Sequence, residues 1–291
     1  MFKLFRLELA RLVRDKLNWT LLVILILIAL INGLAVTSID AEWMEIEYQQ
    51  MLLKSSIASS FQLSSTPYIM IGLAIAVFIA KDIGQGTIRN KLIAGFSKRE
   101  IYVTTLSVAA IFTLATMVIY HGVILGFSAA FGITVYVDTS VAHDLDNFLI
   151  YCAIGYLLIM VATSMVVFIG LMVKNMAGAI ILTILLLTFI LVLALILENV
   201  LEFTLIYQRY DLYTQAQEAE DARRRLHEIL DYFYIFQALK YSTSMFNPTD
   251  INNFFSTEGG IYLYKVIGTN AALLALINVG GAYLFGRTDL K

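Results

Sequence analysis

The residues able to do chemistry in this chain are few and far apart. Three histidines (His121, His143 and His227) and one cysteine (Cys152) are spread along 291 residues, without the close spacing of a zinc site. No GxxxxGK[ST], HExxH or GxSxG pattern occurs, so the phosphate-binding loop, the metalloprotease helix and the nucleophile elbow are missing. Gly84-Gln85-Gly86 is too short a match to mean a nucleotide site. Glu198 and Glu202 stand one helical turn apart, where they either attract a cation or simply end a solvated helix. Polar chemistry concentrates in residues 81–100, an island with seven charged side chains between two long apolar runs.

The elements that hold this island belong in a membrane. The chain is 59% hydrophobic and only 14% charged, against about 25% charged in soluble domains. Its apolar runs are too long and continuous for the ten-residue alternating strands of a membrane barrel. The expected fold is all-α: one transmembrane domain over 1–291, with spans near 18–39, 67–80, 101–131, 148–173, 177–197 and 264–285. Trp19 and Trp43 mark the interfaces of the first span. Gly72, Ala76 and Ala80, four residues apart, offer a face for close helix approach.

Residues 1–16 read as an amphipathic interfacial helix. Phe2, Phe5, Leu9, Leu12 and Val13 share one face, and Lys3, Arg6, Arg11, Arg14 and Lys16 cover the rest. Such a helix either anchors the chain in lipid or also touches a partner. Residues 198–263 form a long polar segment before the last span, with Glu220/Arg224 and Asp221/Arg225 pairs that predict a solvated helix. Inside the spans, Asn32, His121, Asn270 and Asn278 are the polar candidates. Each either bonds a neighbouring helix or lines a substrate path.

Charge placement orients the chain. Residues 1–17, 81–100, 173–176 and 286–291 hold 13 of the 20 Lys and Arg but five of the 22 Asp and Glu. The positive-inside rule puts these segments, and both termini, in the cytoplasm, with 198–263 extracellular. No concentrated basic stripe remains elsewhere for nucleic acid. Within the island, Thr87 is expected to cap a short helix over 88–94, and Gly95 to end it in the left-handed conformation. Ser97-Lys98-Arg99-Glu100 reads as a capping box opening the third span.

The island resembles the segment between spans two and three in permease subunits of ABC type-2 exporters (ATP-binding-cassette transporters). The likeness rests on Asp82, Gly86-Thr87-Ile88-Arg89-Asn90-Lys91-Leu92, Ala94-Gly95, Ser97-Lys98-Arg99-Glu100 and Tyr102. It is motif-specific over about 82–102, and it extends to the whole chain in layout. The resemblance implies a coupling helix between spans two and three. Gly86, Thr87, Ile88, Arg89, Asn90, Lys91 and Glu100 would meet a separate ATPase subunit, and Phe2, Phe5, Arg6 and Arg14 would lie on the flanking interfacial helix. It further implies two permease copies, as a homodimer, over two ATPase subunits. ATP and magnesium would sit on those subunits, so this chain binds no cofactor or metal and is not itself an enzyme. The expected setting is the plasma membrane of a prokaryote. The substrate leans by analogy to amphipathic, antimicrobial or toxin peptides. Efflux of small drugs or sodium ions, an intramembrane enzyme, and a non-transporting sensor or scaffold are the alternatives.

Overall fold

The computed structural model describes residues 2–37, 53, 56–57, 60, 65–132, 141–173, 175–189, 192 and 257–288. Trp43, the Glu198/Glu202 pair and the 198–256 stretch lie outside the described residues. Among those described, the regular structure is entirely helical. The eight helices are α1 (Phe2–Arg14), α2 (Lys16–Thr37), α3 (Thr66–Gly84), α4 (Thr87–Ile93), α5 (Lys98–Ala130), α6 (Val141–Met172), α7 (Met176–Phe189) and α8 (Thr257–Arg287). Stretches of α2, α3, α5, α6 and α8 are long and apolar enough to cross a membrane; α7 is apolar but shorter.

Several helices outrun the expected spans. α8 has 31 residues, which rise about 46 Å, and the hydrocarbon core is about 30 Å thick. Residues 257–263 are therefore helical and continuous with the last span. Residues 141–147 likewise extend α6. At the other end, α3 runs past Ala80 to Gly84, so Lys81 and Asp82 sit in its last turn.

One end of the bundle collects the polar chemistry. Here α2 and α5 begin, α3 and α8 finish, and α4 bridges α3 to α5. Gly84 at the end of α3 lies against Met176 at the start of α7. The corner between α1 and α2 is tightly made. Asp15 caps α2 by accepting the Leu17 amide at 3.1 Å. The Asn18 amide donates to the Leu12 carbonyl at 3.0 Å, and the Trp19 indole donates to the Val13 carbonyl at 2.6 Å. Both bonds satisfy carbonyls that a helix end leaves open.

Asp15 also holds Lys81 at 2.5 Å, tying the start of α2 to the end of α3. Burial opposes the Asp15 charge, but the Lys81 hydrogen bond, the Leu17 amide and the charges of Lys81 and Arg11 outweigh it. Its carboxyl is therefore held below the usual range. A depressed carboxyl contributes stability that is complete above its unfolded pKa, near 4, and is lost as pH falls through the folded value. Thermal unfolding should therefore separate the wild type from Asp15→Asn at pH 7, by a margin constant down to about pH 5 and shrinking below about pH 4. A margin that persists unchanged at pH 2 to 3 would mean the ion pair contributes nothing.

The core between the helices is apolar and closely packed. Gly170 lies against Ile79 and Gly72 against Leu187, so a methyl added at either would come within 3.2 Å of its neighbour. Ala76 and Ala80 are fully buried, and the small-residue face of α3 is a packing face. Gly281 on α8 receives the tip of Tyr102 from α5, with Phe168 of α6 alongside.

Candidate functional site

α4 is short, and its ends explain why it is nonetheless well defined. The cap differs from expectation: Thr87 is the first helical residue, and Gly86 occupies the N-cap with φ 65°. A left-handed residue is needed to turn the chain from α3 into α4, and glycine meets that need without a Cβ penalty. Thr87 makes no capping bond with its side chain. At the other end Gly95 adopts φ 91°, as expected of a helix-ending glycine. The capping box is present: the Ser97 hydroxyl accepts the Glu100 amide at 3.2 Å, and Glu100 accepts the Ser97 amide at 2.9 Å.

The two faces of α4 differ sharply. Ile88 and Lys91 point inward, and Lys91 is only 5% exposed. Its ammonium lies 2.6 Å from Glu8 of α1 and 2.6 Å from Asp82 of α3. Glu8 is 1% exposed and Asp82 is 2%. Arg11 closes the arrangement: it pairs with Asp82, stands 3.4 Å from Glu8, and lays its guanidinium 4.4 Å over the Phe78 ring. Two acids and two bases thus form a neutral ring that joins α1, α3 and α4, with Glu8, Asp82 and Lys91 buried and Arg11 partly exposed at its edge. Buried charges persist only when paired in this way.

The opposite face of α4 is open. Arg89, Asn90 and Ala94 are exposed, and Ile93 is 75% exposed. Of the expected coupling residues, Arg89 and Asn90 are therefore available to a partner, while Ile88 and Lys91 hold the helix in place. Gly86 and Thr87 are half-buried, and Glu100 is engaged in its cap. Ile93, absent from that expected set, is the most exposed apolar side chain of the island. Its apolar type at an outward position was the available sign.

α1 packs into the chain by a stripe that overlaps only part of its apolar face. The packed stripe is Leu4, Glu8 and Leu12, with Phe5 and Leu9 beside it. Phe2 is 78% exposed, and Val13, Arg6 and Arg14 are exposed too. The inward Glu8 moves the buried face away from the purely apolar one, because Lys91 needs a second carboxylate. A lone acid one turn from Arg11 on a basic helix was the clue to this.

A second tie fixes the last helix. Lys98, at the start of α5, donates to the Thr288 carbonyl just beyond α8. A cation suits the negative end of a helix dipole. The intramembrane candidates all face neighbours within the chain. Asn32 donates to the Tyr120 hydroxyl at 2.7 Å. His121 is buried with its Nε2 beside the Ser60 hydroxyl. Asn278 donates to Ser164 at 3.2 Å and to the Leu274 carbonyl at 2.8 Å, and Asn270 is fully buried. Among the described residues, no group of histidine, cysteine and carboxylate side chains is placed to hold a metal ion.

Five long apolar helices around a core, with a locked polar cap at one end, are consistent with a multi-pass membrane protein. No family model matches the chain, and no curated protein matches it.

Proposed function

We propose that this chain is the membrane subunit of an ATP-driven exporter of the ABC type-2 kind. The observation that carries the reading is the two-sided build of α4. Its inner face is locked by Ile88 and Lys91, and its outer face offers Arg89, Asn90 and Ile93. A helix held on one side by two buried carboxylates, and free on the other, moves with its neighbours when pushed. The charge balance supports a cytoplasmic position for this end. The placement of α7 beside Gly84 favours α7 as the start of a sixth crossing. In this reading two copies of the chain pair, two separate ATP-binding subunits dock beneath them, and hydrolysis occurs there. The substrate leans to amphipathic peptides in a prokaryotic plasma membrane.

The test uses the outer face alone. Arg89→Glu with Ile93→Asp should leave thermal stability within about 0.5 kcal/mol, as surface changes do. The same variant should lose co-purification of the ATP-binding subunit and peptide-stimulated hydrolysis in lipid. Retained capture and full hydrolysis would sink the reading.

A further inference from the structure

α1 carries a feature that coupling does not use. Beside the stripe that packs into the chain it holds an open groove of about 550 Å³, lined by Lys3, Arg6, Leu7, Ala10 and Arg14 together with Arg11, which also pairs with Asp82. Lys3, Arg6 and Arg14 are exposed. Among the described residues no carboxylate neutralises these three. The two acids nearest in sequence are committed elsewhere, Glu8 to Lys91 and Asp15 to Lys81. The groove is therefore a concentrated positive site with an apolar floor.

We propose that this groove binds the headgroup of an anionic phospholipid. Three observations favour lipid over an acidic protein. At 3.6 residues per turn, Phe2 and Val13 fall beside the basic flank, on the side away from the packed stripe, and both are exposed. Acyl chains would cover that pair while phosphate fills the groove. Next, α1 joins the span α2 through Asp15 alone, so it lies at the membrane boundary. Last, the Trp19 indole, largely exposed, is hydrogen-bonded to the Val13 carbonyl. Indoles prefer the headgroup level, and this one places the end of α1 there.

Trp19 is also the reporter. The chain has two tryptophans, so Trp43→Phe leaves Trp19 as the sole emitter. The full chain is reconstituted in phosphatidylcholine vesicles containing either brominated phosphatidylglycerol or brominated phosphatidylcholine, and quenching is read against mole fraction. Each basic side chain at an anionic surface favours binding by roughly fivefold. The anionic lipid should therefore quench Trp19 at least about fivefold more effectively. Arg6→Gln with Arg14→Gln should bring the ratio close to one, whereas Arg99→Gln, an exposed basic residue outside α1, should leave it unchanged. Added salt at 0.5 M or above should lower the wild-type ratio, which keeps the test decisive if the double variant fails to fold. Equal quenching by the two lipids, or a ratio that survives loss of Arg6 and Arg14, overturns the proposal. No ATP-binding subunit is present, so the result is independent of the transport reading.

Discussion

Replacing Lys91 by methionine is expected to destabilise the chain by about 3–5 kcal/mol, the range for removing one partner of a buried charge pair. Methionine matches the length of the lysine stem but brings no charge. Glu8 and Asp82 would then face each other with Arg11 as their sole cation, and the ring would carry one net negative charge in a buried place. Two consequences are measurable. Thermal unfolding in detergent should fall by many degrees, and α4 should exchange its amide hydrogens faster than α3 or α5. The rescue is specific: Glu8→Gln in the Lys91→Met background restores neutrality and should recover much of the loss. An unrelated structural effect of methionine would not respond to Glu8. If Lys91→Met unfolds with the wild type, the ring does not hold α4.

This result also separates two residues that the sequence groups together. Arg89 and Lys91 are both basic and two positions apart. Only Lys91 is buried, so reversing it removes the helix from its seat, whereas reversing Arg89 changes what the helix presents. A combined reversal would lose function under any reading of the chain.

Gly281→Ala is expected to cost about 1–3 kcal/mol, the usual range for overpacking. A methyl there would overlap the Tyr102 hydroxyl, lie 2.6 Å from its ring carbon Cζ and 3.0 Å from the Phe168 ring. Tyr102 is fully buried, with Phe285 beside it at a centroid distance of 6.3 Å. Tyr102 is enclosed, so its ring or α8 must shift to admit the methyl. The Tyr102 hydroxyl has no hydrogen-bond partner among the described residues. Tyr102→Phe alone should therefore be nearly neutral. Combined with Gly281→Ala it should return part of the lost stability, giving a non-zero coupling energy in a double-mutant cycle. Strictly additive effects would show that the two groups do not collide. Gly280, one position earlier, has open space at its Cβ, so Gly280→Ala is the matched control and should change little.

Much of this protein was legible without its structure. The length and apolarity of the runs determine helices, because unsatisfied backbone groups in lipid leave no alternative but a helix or a closed barrel. Local chemistry determined the ends of α4 and α5. Gly95 and the Ser97/Glu100 box act over three or four residues, and such signals survive in sequence. The end of α3 was less legible, because Lys81 and Asp82 look like loop residues until their partners are known. The N-cap of α4 went to Gly86 over Thr87 for a related reason: the turn between two packed helices demanded a left-handed residue more than a side-chain cap.

What only the tertiary structure decided is which charges are inside. Glu8, Arg11, Asp82 and Lys91 come from three helices, and no periodicity within one helix records that they meet. Burial of a charge depends on distant partners, since an ion alone in an apolar place is prohibitively costly and a neutral ring is not. That dependence turned Lys91 from a presumed docking residue into the pin of α4. It left Arg89 and Ile93 as its outer surface, and it freed the exposed flank of α1, with Lys3, Arg6 and Arg14, to face something else.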